Sequence, residues 1–251
     1  MNHPAKNHSG HPVAAPPDLS SLHVQATTGT PSVWHRMLAT IHGTVLDRIG
    51  GRPERVSTAG EIPLADLTVV GPNRAHGRGY RPTPRMVVRW ALDLLPEPVD
   101  PFVFIDLGSG RGRVVMEAAR RPFRRILGVE FAEALHEDAE ANLRHWPRSL
   151  MKCREVDLML KDAATAPLPE DDLVVYIYDT FAPALMTRMA ARLAEHGRKY
   201  RVYVILVDPE ENVALRESRA FRRIDVRSRA RSLRWFSPLP AQLYTVIPAQ
   251  D

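Results

Sequence analysis

The side chains of this sequence that are best placed to do chemistry lie in residues 102–113, which read Phe-Val-Phe-Ile-Asp-Leu-Gly-Ser-Gly-Arg-Gly-Arg. The apolar run Phe102–Ile105 predicts one buried parallel strand, and Asp106 ends that run. A helical pattern begins at Val114. A strand, a bare turn and a helix in this order let a ligand lie against backbone at a helix N-terminus. The turn contains Gly108, Ser109, Gly110 and Gly112.

The spacing of the glycines and the acid before them indicate the charge of that ligand. A dinucleotide-binding turn reads G-x-G-x-x-G, and its last glycine lets the helix pack closely on the strand. Arg113 stands at that position here, and the third glycine comes one residue early, at Gly112. Asp106 would also repel a pyrophosphate. The stretch therefore favours a cationic ligand and opposes a nicotinamide-dependent oxidoreductase.

Later predicted strands also end in acidic or polar residues. The run Arg124–Val129 predicts a second strand that ends at Glu130, whose carboxylate could accept both hydroxyls of a ribose. A third strand is predicted over 156–160 and a fourth over 173–178. Because ligands bind at the carboxyl edge of open α/β sheets, these strand ends predict one shared site. The residues that follow are Asp162 and Ala163 after the third strand, and Asp179, Thr180 and Phe181 after the fourth.

The pattern D-x-G-x-G-x-G at 106–112 is similar to the first motif of class I S-adenosylmethionine-dependent methyltransferases. Residues 80–84, 106–120, 122–131 and 178–181 resemble a bacterial group within that class. This group is similar in turn to the non-SET histone-lysine methyltransferases and to the mitochondrial lysine methyltransferases that act on the ATP synthase c subunit. The resemblance covers about residues 60–248 and is specific for cofactor binding.

The resemblance implies S-adenosyl-L-methionine as the cofactor and an Asp-Ala pair, Asp162 and Ala163, around its adenine. One departure concerns the segment after the fourth strand, which commonly reads Asn-Pro-Phe in the group. Here the segment is Asp179-Thr180-Phe181, which has a carboxylate and an aromatic residue but lacks the proline. The cofactor-binding set predicted in this way is Asp106, Gly108, Ser109, Gly110, Gly112, Glu130, Phe131, Asp162, Ala163 and Thr83.

The implied reaction is in-line displacement of a methyl group from a sulfonium, in which catalysis depends mainly on placing the acceptor. An amine acceptor must first lose a proton, and we expect Asp179 to accept a hydrogen bond from it or act as its base. Phe181 is a candidate wall for the acceptor, and Tyr80 and Thr83 are candidates to contact the methionine end or the acceptor. The acceptor is expected to be a nitrogen, in a protein lysine or a small-molecule amine. An RNA methyltransferase and a non-catalytic S-adenosylmethionine-binding protein are the alternatives.

The predicted architecture is α/β, a seven-stranded, mainly parallel, doubly wound sheet with an N-terminal helical extension. Residues 1–30 are expected to form a disordered tail, 31–98 N-terminal helices and a lid segment, and 99–251 the S-adenosylmethionine-binding domain. Ser32 and Thr83 are predicted helix N-caps, with Pro84 at the first position of a helix that runs to about Leu95. Further helices are predicted over 132–145 and 183–195. The remaining strands are predicted over 200–207, 221–226 and 243–247, the last one antiparallel as the resemblance implies.

The composition limits which partners, among nucleic acids, membranes and metal ions, the sequence predicts. The chain carries a formal net charge of +5. Its 34 basic residues, of which four are lysine, are spread along the sequence. Only residues 216–234 cluster arginine, so nucleic acid is a partner that the sequence allows without favouring it. No apolar stretch approaches the roughly 18 residues that span a bilayer. The single cysteine, Cys153, suits a reducing cytoplasm, and no His, Cys and acidic pattern suggests a metal site. The sequence leaves the oligomeric state open.

Overall fold

The structure, a computed structural model, describes residues 56–96, 98–178, 181–207, 213–225 and 239–247. Several predictions concern residues outside these ranges. They are the tail 1–30, the helix that starts after Ser32, the residues Asp179 and Thr180, and the arginines of the basic cluster beyond residue 225.

A seven-stranded sheet runs through the described part of the chain. Its strands are β1 Val103–Leu107, β2 Arg125–Glu130, β3 Val156–Leu160, β4 Leu173–Tyr178, β5 Val202–Val207, β6 Phe221–Ile224 and β7 Ala241–Val246. Their order is β3-β2-β1-β4-β5-β7-β6. Strand β7 is antiparallel to both of its neighbours, and the other pairs are parallel. The predicted fold class, including its antiparallel last strand, is therefore confirmed.

Helices cover both faces of the sheet. They are α1 Arg85–Leu92, α2 Arg113–Ala118, α3 Glu133–His145, α4 Pro183–His196 and α5 Ala214–Glu217. Alternate residues of β1 separate two cores, because successive side chains of a strand point to opposite faces. Phe104 packs in the core that contains residues of α1 and α2, whereas Ile105 packs in the core that contains residues of α4 and α5. The sheet is thus doubly wound.

Some element bounds differ from the predictions. Strand β1 was expected to end before Asp106, but it continues to Leu107 because that residue still pairs with Val129 of β2 and Ile177 of β4. Strand β5 begins at Val202 rather than at residue 200, and β6 ends at Ile224. Strand β7 begins two residues early, because 241 and 242 pair with the end of β5.

The predicted N-cap at Thr83 is wrong. Helix α1 begins at Arg85 and ends at Leu92, short of Leu95, and its N-cap residue is Pro84, which makes no side-chain capping bond. The Thr83 hydroxyl instead accepts a hydrogen bond from the Tyr176 hydroxyl at 3.4 Å. Thr83 is buried, so its oxygen serves a contact with the sheet rather than the helix end.

The segment before α1 crosses the carboxyl edge of the sheet. We call residues 68–80 of it the strap. It is tied to the chain after β2, because Val69 forms an isolated bridge with Ala132, and it ends in a second bridge between Tyr80 and Ile62. Arg74–His76 form a short 3-10 turn within it. The strap therefore lies at the edge where parallel strands present their ligand-binding ends.

Within the described ranges, no helix combines the length and the apolar character that crossing a membrane requires.

Candidate functional site

A cavity opens at the carboxyl ends of β1, β2 and β4, between the sheet and the strap. It holds about 870 Å³ of empty space, its open mouth included. Eleven of the predicted site residues line it: Tyr80, Thr83, Asp106, Gly108, Ser109, Gly110, Glu130, Phe131, Asp162, Ala163 and Phe181.

The glycine turn forms one wall of the cavity. Gly108 and Ser109 both donate backbone N–H groups to the carbonyl of Val129, at 2.8 and 3.0 Å, which ties the turn to β2. Gly108 and Gly110 have φ values of 83° and 51°, in the left-handed region. A Cβ on Gly110 would lie 2.3 Å from Cε2 of Tyr80. The absence of side chains therefore serves the fit of the strap as well as the approach of a ligand.

Gly112 has a different place from the one predicted. The described residues that line the cavity do not include it. It is the N-cap residue of α2 with φ of 78°, and a Cβ there would lie 3.2 Å from the Cβ of Ala139 in α3. Its lack of a side chain lets the start of α2 adopt a left-handed turn close to α3.

Asp106 and Ser109 provide polar atoms that have no partner within the described chain. Both residues are buried, and neither Oδ2 of Asp106 nor Oγ of Ser109 has a hydrogen-bond partner there. Burial, and after it the charge of Glu130, raise the pKa of Asp106 well above its ordinary value. A buried carboxyl group without a partner costs stability unless a ligand satisfies it. These two atoms belong to residues lining the cavity, so they indicate a ligand with hydrogen-bond donors.

The Glu130 carboxylate is held by three backbone groups. Oε2 accepts from the Gly110 N–H at 2.7 Å, and Oε1 accepts from the N–H groups of Phe131 and Ala132, both at 2.9 Å. Burial nevertheless raises the pKa of Glu130. A carboxylate has about four acceptor positions, so this arrangement leaves room for one further donor. To accept both ribose hydroxyls, as the sequence predicts, the carboxylate would have to share or release one of these three backbone bonds.

Asp162 lies after β3 and is buried. Its Oδ1 accepts from the Ala164 N–H at 2.9 Å, and its Oδ2 accepts from the Asn73 side chain at 2.7 Å. The backbone N–H of Asn73 also points to Oδ2, at 3.3 Å. The carboxylate expected to hold an adenine is thus already fixed by the strap and by its own turn.

Tyr80 contributes its ring rather than its hydroxyl to the cavity. The hydroxyl donates to the carbonyl of Thr58 at 2.8 Å, and the ring lies against Gly110 with the Arg111 guanidinium 5.4 Å from the ring centre. Since the hydroxyl proton is used in a buried hydrogen bond, Tyr80 is a wall of the cavity and not a proton-transfer group in this arrangement.

Two buried residues that the sequence did not predict as part of the site, Arg113 and Tyr176, hold the end of the cavity beside Thr83. Arg113 donates to the hydroxyl and carbonyl oxygens of Thr58 at 2.9 and 2.8 Å and to the carbonyl of Thr83 at 2.9 Å. Tyr176 is register partner to Asp106 across β4 and β1, and burial raises the pKa of its phenol far above the usual value. The one signal for Arg113 was its substitution for the last glycine of a dinucleotide turn.

The structure describes part of the cavity wall at the end of β4, where the methyl acceptor is expected. Phe181 lines the cavity and is buried in the core beside α4, and Tyr178, the last residue of β4, lines it as well. Asp179 and Thr180, between them, lie outside the described residues. In the part of the chain that the structure covers, no group of three His, Cys, Asp or Glu side chains could hold a metal ion.

No protein-family model matches the sequence, and neither does any curated protein. Solved structures are similar in fold. An RNA methyltransferase from Salinibacter ruber in complex with S-adenosyl-L-homocysteine is 23% identical, over 68% of this chain and 96% of its own, with a TM-score of 0.43. A SAM-dependent O-methyltransferase from Thermotoga maritima is 16% identical, over 69% of both chains, with a TM-score of 0.44. A ribosomal protein L11 methylase from Lactobacillus delbrueckii subsp. bulgaricus is 16% identical, over 64% of this chain and 79% of its own, with a TM-score of 0.43.

At identities below 25%, these similarities concern the fold alone, which the strand order and strand directions of this chain show independently.

Proposed function

We propose that this protein is a class I methyltransferase that uses S-adenosyl-L-methionine and transfers a methyl group to a nitrogen acceptor. One observation carries the proposal: the Asp106 carboxyl group is buried under the cavity, and its Oδ2 has no partner in the described chain. Such a carboxylate suits the ammonium group of a methionine moiety. The charge of Asp106, next to the glycine turn, makes the same place hostile to a pyrophosphate, which argues against a nicotinamide cofactor.

The other residues of the cavity fit the remaining parts of that cofactor. Glu130 has room for one donor, which suits a ribose hydroxyl, and the bare turn at Gly108 and Gly110 lets the ligand approach the backbone. Phe131, Asp162 and Ala163 line the cavity beside the strap and would surround the adenine. Along the ends of β1, β2 and β3, these residues thus follow the order of the ammonium group, the ribose and the purine of the cofactor.

The bound cofactor would supply an electrophilic methyl group on a sulfonium. The protein's contribution is then to place the acceptor in line and to exclude water, for which effective molarities can reach about 10⁵–10⁸ M. Tyr176, Tyr178 and Phe181 line the cavity at the end of β4 and provide an aromatic wall for this purpose. We propose that Asp179, the residue after Tyr178, accepts a hydrogen bond or a proton from the acceptor amine.

The nitrogen acceptor, in a protein lysine or a small-molecule amine, is proposed from the sequence resemblance to the non-SET lysine methyltransferases. A nucleic acid is the second candidate, and the basic residues of the strap, together with Arg81 directly after it, favour it. Arg74, His76, Arg78 and Arg81 fall within eight residues and are exposed, and Arg78 and Arg81 line the cavity. Guanidinium groups at the mouth of a site attract phosphates. The single cysteine is consistent with action in the cytoplasm.

Two measurements on the full chain test the proposal. Calorimetric titration with S-adenosyl-L-methionine, S-adenosyl-L-homocysteine and NAD should show binding of the first two alone, and preferential binding of NAD would overturn it. A labelled-methyl assay over cell extract, separated into protein, RNA and small-molecule fractions, then identifies the acceptor. Label in RNA would select the second candidate, and binding without any transferred label would indicate a non-catalytic binding protein.

A further inference from the structure

The strap is fixed over the end of the cavity that is formed by β2 and β3. Val70 donates its N–H to the carbonyl of Phe131 at 2.8 Å, and the carbonyl of His76 accepts from Ala182 at 3.1 Å. Gly77 lies against the Phe131 ring, since a Cβ there would be 2.6 Å from Cζ. The strap is therefore bound at points on both sides of Asn73, which lies between them and lines the cavity.

Gly71 brings the strap directly onto Asp162. It has φ of 88°, and a Cβ on it would lie 2.7 Å from the Cβ of Asp162. Two residues later, the Asn73 side-chain N–H₂ donates to Oδ2 of Asp162 at 2.7 Å. The close passage of the backbone thus places a carboxamide beside the carboxylate at this end of the cavity.

The contact with Asp162 determines which way the Asn73 carboxamide is turned. A carboxylate can only accept hydrogen bonds, so the N–H₂ group of Asn73 must face it. Within the described chain, Oδ1 of Asn73 accepts no hydrogen bond. Asn73 therefore offers one acceptor oxygen and one further N–H to a ligand in the cavity, in an orientation held by Asp162.

We propose that Asn73 reads the purine of the cofactor, with Oδ1 accepting from the 6-amino group and the free N–H donating to a ring nitrogen. This inference rests on the proposed function, because it assumes an adenosyl ligand. A carboxamide that pairs with the amino group and a ring nitrogen of adenine is a selective arrangement. Asp162 then acts mainly as a positioning residue, since Oδ2 already receives two N–H groups from Asn73 and Oδ1 receives one from Ala164.

The test compares two ligands on the full-length protein. S-adenosyl-L-homocysteine carries the 6-amino group, and S-inosyl-L-homocysteine carries a 6-oxo group in its place. We expect the wild-type protein to prefer the adenosyl ligand by about 10- to 100-fold. Asn73→Ala should reduce this preference to a few-fold, chiefly by weakening the adenosyl ligand. Arg74→Ala, on the same strap but outside the cavity lining, is the matched control and should keep the wild-type preference.

Asp162→Asn provides a second test that a merely structural role would not pass. The Ala164 N–H requires an oxygen at its end of residue 162, so the new N–H₂ of the variant would face Asn73. The Asn73 carboxamide would then turn over and present N–H₂ to the purine. We expect the preference to shift toward the 6-oxo ligand, and Asn73→Ala in this background should remove that shift.

The outcomes separate this inference from the function on which it rests. If the wild-type protein binds neither ligand, the proposed function fails and the inference fails with it. If the adenosyl ligand binds but Asn73→Ala keeps the full preference, or weakens both ligands equally, Asn73 does not read the purine while the proposed function stands. A wild-type protein that binds both ligands equally would overturn the inference in the same way.

Discussion

Asp106 and Glu130 lie at the carboxyl ends of adjacent parallel strands, and their two buried carboxyl groups lie beside one cavity. Burial is the main cause that raises the pKa of each, and the charge of Glu130 raises that of Asp106 further. The two groups differ in their partners, because Glu130 accepts three backbone N–H groups whereas Oδ2 of Asp106 has none in the described chain. Asp106 is therefore the group whose charge depends most on a ligand.

This difference predicts a pH-dependent affinity. The folded chain holds the Asp106 proton above the ordinary pKa of 3.8, so the stability contributed by this group is lost as the pH rises from that value through the raised pKa. A ligand ammonium favours the ionised carboxylate, and binding must release the proton. We expect the affinity for S-adenosyl-L-homocysteine to rise with pH across this window, by up to about tenfold per pH unit. Calorimetry at a series of pH values above 3.8 measures it.

Asp106→Asn is the control for this prediction, because it keeps the size of the side chain and removes its titration. The variant should bind S-adenosyl-L-homocysteine weakly and with a flatter pH dependence, and it should lose less stability than the wild type as the pH rises. An unchanged slope in Asp106→Asn would assign the proton to another group, with Glu130 the first candidate.

Glu130→Ala tests the ribose end of the cavity. Loss of one charge-assisted bond should weaken S-adenosyl-L-homocysteine binding by about 1.5–3 kcal/mol. The variant also leaves the N–H groups of Gly110, Phe131 and Ala132 without their acceptor, so its free energy of unfolding should fall by about 1–3 kcal/mol. Calorimetry and urea unfolding separate the two effects. A folded variant with wild-type affinity would remove Glu130 from the binding site.

Gly110 and Gly112 form a matched pair. From the sequence alone, a side chain at Gly110 is expected to fill ligand space at little cost in stability, but the structure corrects the second part because its Cβ would meet the Tyr80 ring. Gly110→Ala should lower the free energy of unfolding by about 2–5 kcal/mol and abolish binding. Gly112→Ala, which changes a residue outside the cavity lining, should cost about 1–2 kcal/mol and keep binding. Equal binding losses in the two folded variants would contradict this assignment.

Thr58→Val tests the buried contacts that close the cavity. The Thr58 hydroxyl accepts from Arg113 Nε at 2.9 Å and from Arg85 Nη2 at 3.3 Å. The substitution leaves two buried guanidinium N–H groups without this acceptor and should lower the free energy of unfolding by about 1–3 kcal/mol. Thr187→Val, at an exposed position of α4, should change it by less than about 0.5 kcal/mol. Urea unfolding of both variants measures the difference, and equal values would contradict the role of Thr58.

The sheet could be predicted because its signals are local. The run at 173–178 is sufficient to predict both ends of β4, because six apolar or aromatic residues in a row are typical of a central strand. The end of β1 could not be predicted in the same way. Asp106 interrupts the apolar run, and only the pairing of Leu107 with both neighbouring strands continues the strand.

In the site, too, the residues that could be predicted are those whose signal lies in neighbouring residues. Asp106 and Glu130 were predictable, because an acid at a strand end beside a glycine turn is a pattern in neighbouring residues. The contact from Arg113 to Thr58 spans 55 positions, and that from Asn73 to Asp162 spans 89. Such contacts depend on the path of the strap across the sheet, for which the sequence of residues 68–80 shows turn residues and no periodicity.

Asp179 carries the prediction about the transfer step itself. It follows Tyr178, which lines the cavity at the end of β4, and we propose that it holds the acceptor amine. Asp179→Ala should lower turnover by about 10²–10⁴-fold and leave S-adenosyl-L-homocysteine affinity nearly unchanged, because the interaction belongs to the transition state. Asp179→Asn should be milder, since it keeps an acceptor oxygen. Asp157→Ala, which removes a half-buried β3 side chain that pairs with Arg125 of β2, should retain wild-type turnover. Labelled-methyl transfer measures all three, and full turnover by Asp179→Ala would leave the acceptor to be oriented by other groups.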